Sequence, residues 1–259
     1  MELKQIFDEE RPIAEVAELL GQMGLLLFPA REQGENVKAP YTRNGLDDAT
    51  NSVDQIRAYW NKWPGAAIAV PTGSPNGFVV IDLDVKAGKN GIQNFTDYGA
   101  DLTNTWAVRT PSNGMHLLYR NPPDFIVQND VERRLGSGID VRGERGYVIW
   151  PPSEISEGVY QFVRGQEPWN IRIADLPEII DHQLRSPLPT MTRQQSQGRA
   201  IRATEFFSPI SEGCRNQELT RRAGYLLRRY GPDTPVIRNW LHDLNQKCCQ
   251  PPLPSAEVD

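Results

Sequence analysis

Phe78-Val79-Val80-Ile81-Asp82-Leu83-Asp84 constrains this chain more than any other segment: four apolar residues run straight into two acids one residue apart. In a strand, alternate side chains share a face, so Asp82 and Asp84 point the same way at the strand's end. Two carboxylates side by side repel unless a cation sits between them. Hard divalent cations such as Mg2+ and Mn2+ prefer carboxylate oxygen. The segment therefore predicts a buried strand that ends in a metal site able to handle phosphates. A solvated strand end is the alternative reading of the acids taken alone.

The rest of the composition narrows the field. With 259 residues, 39% of them hydrophobic, the chain can form one large domain, or a core with a small appendix. No apolar run approaches the roughly 20 residues that span a bilayer. The start Met1-Glu2-Leu3-Lys4 has no signal-peptide stretch. A cytoplasmic protein without a membrane partner is expected. The cysteines are Cys214, Cys248 and Cys249, with no C-x-x-C pair, which argues against a disulfide framework or a zinc ribbon. His116, His182 and His242 are the only histidines, so a mechanism needing two neighbouring imidazoles has little material.

Net charge is −5, yet it is unevenly spread. Gln183 to Lys247 carries 11 basic and 5 acidic residues, while residues 1–182 hold −9. The basic half suits a phosphate-contacting surface, and a solvated basic helix suits it equally.

Ile13, Val16, Ala17, Leu20 and Met23 repeat at helical spacing between Pro12 and a stop at Gly24. Leu25–Pro29 reads as a buried strand. Ser52-Val53-Asp54-Gln55 reads as a capping box opening a helix with Ile56, Tyr59 and Trp60. Ala66–Val70 and Phe78–Leu83 are strand-like, and a short helix is expected at Gly91–Tyr98. Strands follow at Thr105–Thr110, Met115–Arg120, Ile139–Arg142, Tyr147–Trp150 and Val159–Val163. The short turns at 111–114 and 143–146 predict antiparallel pairs on either side.

The fold expected is α+β, with a mixed, mostly antiparallel central sheet flanked by helices and a small α-helical C-terminal module. Residues 1–185 form the main domain, 186–203 a linker with Pro187, Pro189 and a Gln/Ser-rich run, and 204–259 the module. In the module, Leu219, Ala223, Leu226, Leu227 and Tyr230 mark one helix. Ile237, Trp240, Leu241 and Leu244 mark the apolar face of a second, opened near Thr234-Pro235.

Two segments add chemistry to the paired acids. Arg109-Thr110-Pro111-Ser112-Asn113-Gly114-Met115-His116 ends a strand, exposes backbone N–H groups in a polar turn and places a histidine early in the next strand. Such a turn cradles phosphate oxygens, with Arg109 and His116 as further donors. A polar hairpin around a satisfied histidine fits as well. Gly136-Ser137-Gly138-Ile139-Asp140-Val141-Arg142-Gly143 places an acid in a short strand among glycines that admit close backbone approach. Asp140 would complete a carboxylate trio, and Arg142 shares its face. A surface ion pair on a glycine-rich hairpin is the alternative.

In this order the three segments resemble the archaeo-eukaryotic primase superfamily, in its bifunctional primase–polymerase branch. That family shows a D-x-D/E motif, an S-x-H motif and then a strand with one acid, matched here by Asp82-Leu83-Asp84, Ser112…Gly114-Met115-His116 and Asp140. Flanking similarity includes Lys38-Ala39-Pro40, Ala49-Thr50 and Trp60, then Ile68–Gly73, then Gly146–Ser153, so the likeness spans roughly residues 15–165. Glu212-Gly213-Cys214-Arg215-Asn216 through Pro251-Pro252-Leu253 is similar to the helical module that often follows. Two departures stand out: Asn113 takes a turn position that is often glycine in the family, and the ligands of a zinc stem are missing.

The resemblance implies template-directed nucleotidyl transfer, either primer synthesis or DNA polymerisation from NTPs or dNTPs. Asp82, Asp84 and Asp140 would hold two Mg2+ or Mn2+ ions. Ser112, the Gly114 backbone and His116 would bind the triphosphate. Arg109, Arg142 and Lys38 are further phosphate or template candidates, and Thr72 and Gly73 candidates for the pocket wall. Arg221, Arg222, Arg228 and Arg229 would form a basic face for single-stranded template DNA. A helicase domain commonly follows in the family. The chain has no G-x-x-x-x-G-K-[ST] loop, so it reads as the N-terminal part of a larger replication protein. A metal-dependent nuclease and a non-catalytic initiator module that binds DNA are the rival readings. The isolated histidines offer no relaxase-type metal motif.

Overall fold

The computed structural model describes residues 2–8, 10–86, 88–186, 209–210, 215, 218–220, 222–223, 226 and 234–258. The chain divides into two units, Met1–Leu188 and Pro189–Asp259.

The larger unit begins with α1 (Leu3–Asp8), α2 (Ile13–Gln22), β1 (Phe28–Ala30) and α3 (Val53–Lys62), followed by β2 (Ala67–Pro71), β3 (Phe78–Leu83) and α4 (Gly91–Asp97). Seven strands come next: β4 (Trp106–Arg109), β5 (Met115–Arg120), β6 (Asp130–Val131), β7 (Ile139–Arg142), β8 (Tyr147–Ile149), β9 (Glu154–Ile155) and β10 (Gly158–Val159). The unit closes with β11 (Gln161–Phe162) and α5 (Glu178–Arg185). A six-stranded sheet runs β11-β4-β5-β3-β7-β6, a three-stranded sheet runs β1-β2-β8, and β9 pairs with β10. Every pairing among these strands is antiparallel. The α+β class holds.

The pleat of β3 organises the larger unit. Val79, Ile81 and Leu83 face a core with Leu117, Tyr119, Ile139 and Val141, covered by Phe95 of α4 and by Ile180 and Leu184 of α5. Phe78 and Val80 face the opposite core, shared with the three-stranded sheet and with α2 and α3. A strand buried on both faces reads as a continuous apolar run, and Phe78–Ile81 is one. Asp82 continues the Phe78–Val80 face, so it emerges between the two sheets.

Several expected boundaries shift for local reasons. The helix over residues 53–62 forms, but Ser52 makes no side-chain cap. Its N–H donates to Thr50 Oγ1 at 3.0 Å, which takes the role expected of Gln55. The turn at 111–114 does join the antiparallel pair β4–β5. The turn at 143–146 does not join a pair: β7 lies beside β3, whereas β8 lies beside β2 in the other sheet. Asn129 Oδ1 accepts from Gly143 N–H at 2.9 Å, and Thr72 Oγ1 donates to Gly143 O at 2.6 Å, holding the crossover. The strand expected over Val159–Val163 is broken at Tyr160, where the chain passes from β10 to β11.

In the smaller unit, helices span Thr234–Cys248 and Ser255–Val258. Leu219, Leu226, Ile237, Leu244, Cys248, Cys249 and Leu253 form a core with Ile210. Asn245 clamps Leu253 with two hydrogen bonds of 2.8 Å. Trp240 departs from the expected apolar face, being 43% exposed. The expected linker, past Ser186, lies outside the described residues, as do Leu227 and Tyr230.

The end of β3 depends on a glycine crossing. Asp84 N–H donates to Gly138 O, and Gly91 N–H donates to Asp84 O, each at 2.8 Å. A Cβ on Gly91 would stand 2.0 Å from Gly138 O and 3.0 Å from Asp84 N. Gly91→Ala therefore displaces backbone against backbone, and the expected loss is about 2–3 kcal/mol in urea unfolding. At Gly99 the φ is +77° but nothing lies within 4 Å of an added Cβ. There, alanine should cost only about 1 kcal/mol.

Candidate active site

One row across the large sheet brings three of the candidate residues together. His116 of β5 and Asp140 of β7 are the register partners of Asp82 in the central strand. Directly opposed residues on one face bring their side chains into contact range. Asp82 and Asp140 are mostly shielded, their side chains 14% and 11% exposed. Arg142 Nη2 donates to Asp140 Oδ2 at 2.9 Å and to Asp82 Oδ2 at 3.2 Å, bridging the two acids. Burial raises the Asp140 pKa to about 6. The Arg142 charge opposes that rise, while Asp82 and Asp84 reinforce it.

His116 Nε2 stands 3.6 Å from Asp82 Oδ1. Burial pushes the imidazole pKa down, and the pull of Asp82 does not offset it, so the ring is neutral near pH 7. Its Nδ1 is buried and has no hydrogen-bond partner. Tyr160 packs tilted against the ring with centroids 5.7 Å apart.

Asp84 follows the last residue of β3 and is fixed by the glycine crossing. The turn beside it is closed by Thr110 N–H to Gly114 O at 3.1 Å and Asn113 N–H to Thr110 O at 3.0 Å. Asn113 has φ 64°, a left-handed conformation that glycine and asparagine tolerate, which explains asparagine at this place in the turn. Gly114 has no room for a side chain, since a Cβ would lie 2.4 Å from Leu83 O.

A cleft of about 350 Å³ opens between the two sheets. Asp82, Asp84, His116 and Ser112 line one part of it. Lys38, Lys86, Arg142 and Arg145 also line it, and Tyr147 and Tyr160 add aromatic wall. Lys38 and Arg145 both hold left-handed backbone, at φ 72° and 61°. Lys38 Nζ pairs with Glu157 at 3.2 Å, and Arg145 pairs with Asp47 at 3.0 Å. Two acids among four cations make a surface that suits a polyanion carrying its own counter-ions.

The structure thus gathers Asp82, Asp84, Asp140, Ser112, His116, Arg142 and Lys38, with Gly114 beneath the turn. Thr72 and Gly73 do not line the cleft. They brace the 143–146 turn, Thr72 through Gly143 and Gly73 by close packing, since a Cβ there would meet Glu144 Cα at 2.8 Å. Arg109 is separated from the cluster. It shares the face of Ala107, which lies in the core on the other side of the sheet from Asp82. Arg222 is only 2% exposed, within the smaller unit, so it does not contribute to an exposed basic face. Arg221, Arg228 and Arg229 lie outside the described residues.

Sequence reasoning missed Lys86, Arg145 and Tyr160. Lys86 had a signal, as the next alternate residue after Asp82 and Asp84. Arg145 is the cation of a glycine-flanked turn. Tyr160 had none, because its place depends on the strand break.

Among the described residues, no three His, Cys, Asp or Glu side chains converge as a ready-made metal cage. The donor set nonetheless fits a hard divalent cation: three carboxylates, two of them already converging on one positive group.

Residues 17–179 match the family of bifunctional DNA primase/polymerase N-terminal domains. The chain belongs to that family. Residues 203–259 match the primase C-terminal 1 domain, in the expected order. No curated protein matches the chain. The two domains tie this primase–polymerase chain to a replication-related function. Among the described residues no helix is long and apolar enough to cross a membrane.

Burial of Asp140 should show in stability. An acid with a raised folded pKa keeps its proton where the unfolded chain has lost it. Stability therefore falls as pH rises from about 4 toward about 6, and the cost persists above that. Asp140→Asn should then stabilise the metal-free protein at pH 8 by about 1–3 kcal/mol, with no gain at pH 4. Chemical denaturation in EDTA at the two pH values measures this.

Proposed function

We propose that the cleft performs template-directed nucleotidyl transfer, making primers or extending DNA from NTPs or dNTPs. The observation that carries this reading is the row His116–Asp82–Asp140, opening with Asp84 into a cleft that Lys38, Lys86, Arg142 and Arg145 also line. Carboxylates alone would suit a simple cation site. Carboxylates beside a ring of cations and an N–H-bearing turn suit a triphosphate with its divalent ions.

In this reading Asp82, Asp84 and Asp140 hold Mg2+ or Mn2+. Those ions, when bound, neutralise triphosphate charge and make the primer 3′-hydroxyl a better nucleophile. Ser112 and the backbone of the 110–114 turn orient the triphosphate. His116, neutral in the free protein, presents a ring nitrogen to a phosphate oxygen. Lys86 and Arg145 draw the triphosphate toward the acids, and Tyr147 and Tyr160 limit water on the far wall. Single-stranded DNA is the template. A helicase segment C-terminal to these residues belongs to the same proposal, as does a cytoplasmic setting.

Incubation with single-stranded template, labelled NTPs or dNTPs and Mg2+ or Mn2+, with and without primer, tests the reading. Synthesis should depend on the cation and fall on the order of a thousandfold in Asp82→Ala/Asp84→Ala. Hydrolysis of the template without synthesis would favour a nuclease, and binding that survives loss of the acids a non-catalytic module. Lys86→Ala and Arg145→Ala should each raise the nucleotide KM roughly tenfold, with kcat less affected.

A further inference from the structure

We infer that Arg142 gates the metal site: its guanidinium is the resident counter-ion of Asp82 and Asp140, and an incoming triphosphate draws it away as the divalent cation enters. The inference rests on the reading of these carboxylates as metal ligands. It adds that nucleotide and cation load together because one arginine stands in the way of the cation alone.

The strand register fixes the geometry. Arg142 lies two residues beyond Asp140 on the same face, and its partner on β3 is Val80, two residues before Asp82. From there one nitrogen, Nη2, reaches Asp140 Oδ2 at 2.9 Å and Asp82 Oδ2 at 3.2 Å. Two carboxylate oxygens from neighbouring strands therefore converge on a single positive group. A divalent cation shared by Asp82 and Asp140 would use these same oxygens. A dication and a guanidinium cannot occupy one pair of lone pairs together, because like charges at contact distance repel strongly in a shielded site.

Arg142 is also placed to leave. Its side chain is 32% exposed, against 11% and 14% for the acids, and it lines the cleft. The acids are fixed in the sheet while their counter-ion is at the solvent edge. Both ion pairs run through Nη2, so the fork keeps donor capacity for phosphate oxygens. A triphosphate offers that fork a bidentate partner of higher charge. Without nucleotide, Arg142 relieves the repulsion between Asp82 and Asp140, and removing it leaves shielded charges uncompensated. Arg142 is thus a positioning residue that couples two ligands, and such coupling is reciprocal.

The test is Mn2+ binding to the full chain without nucleotide, followed by the EPR signal of free Mn2+. Arg142→Gln should bind Mn2+ roughly tenfold or more tightly than the wild type. Asp82→Ala/Asp84→Ala should lose the binding. In thermal unfolding without divalent ions, Arg142→Gln should melt below the wild type and recover when Mn2+ is added, while the wild type responds little. Its nucleotide KM should rise. If Arg142→Gln does not fold, Arg142→Lys supports the same comparison, with a smaller gain in Mn2+ affinity because the ammonium reaches the acids differently. Equal Mn2+ affinity in wild type and variant, with binding still lost in the acid variant, overturns the gate and spares the metal site. Absence of Mn2+ binding in every protein overturns the site reading, and the gate falls with it.

Discussion

Asp82 and Asp140 are register partners on neighbouring strands, and two carboxylates held that way repel unless a positive group joins them. In this protein the joining group is the Arg142 guanidinium. Much of the larger unit serves to keep that confrontation in place. The apolar residues of β3 are buried on both faces, which fixes the register of the strand, since a slip of one residue would send Asp82 into the opposite core. The crossing of Gly91 and Gly138 then fixes Asp84, one residue beyond the strand. The unfavourable electrostatics of the acids are thereby offset by packing elsewhere, as is common where charge is gathered for function.

The cleft lies where the chain passes between sheets after β7 and again after β10. After β7 it leaves the six-stranded sheet through the 143–146 turn and joins the three-stranded one as β8. After β10 it returns at Tyr160 to form β11 beside β4. Each change puts functional groups at the gap: Arg145 and Tyr147 at the first, Tyr160 at the second. The sheet supplies rigid acids and the crossovers supply cations and aromatic wall. In the proposed reading, that division would let the positive groups adjust to a ligand while the acids keep their geometry.

The strongest elements could be read from the residues alone. Phe78–Leu83 and Met115–Arg120 have the expected bounds because each is a largely apolar segment bounded by turn residues. The row of Asp82, His116 and Asp140 was legible as three separate motifs, and their union came from a family likeness rather than from periodicity. What could not be read were the long-range choices. The short turn after β7 looks like a hairpin, yet buried contacts from Thr72 and Asn129 turn it into a crossover. Arg109 reads as a phosphate donor because it leads into a polar turn, but strand alternation sends it to the other face. Arg222 sits in a basic stretch that suggested an exposed surface, and it is buried. Charge patterns in one dimension do not tell which side chains the core will enclose.

The central claim is that the acids at the end of β3, with Asp140 beside them, share divalent cations with a bound triphosphate. Anomalous diffraction from crystals grown with Mn2+ and a non-hydrolysable deoxynucleoside triphosphate measures it directly. The account predicts manganese peaks coordinated by Asp82, Asp84 and Asp140, with phosphate oxygens completing the shell and Arg142 turned toward the triphosphate. Manganese bound elsewhere, with Arg142 still bridging Asp82 and Asp140 while the triphosphate is present, would contradict it.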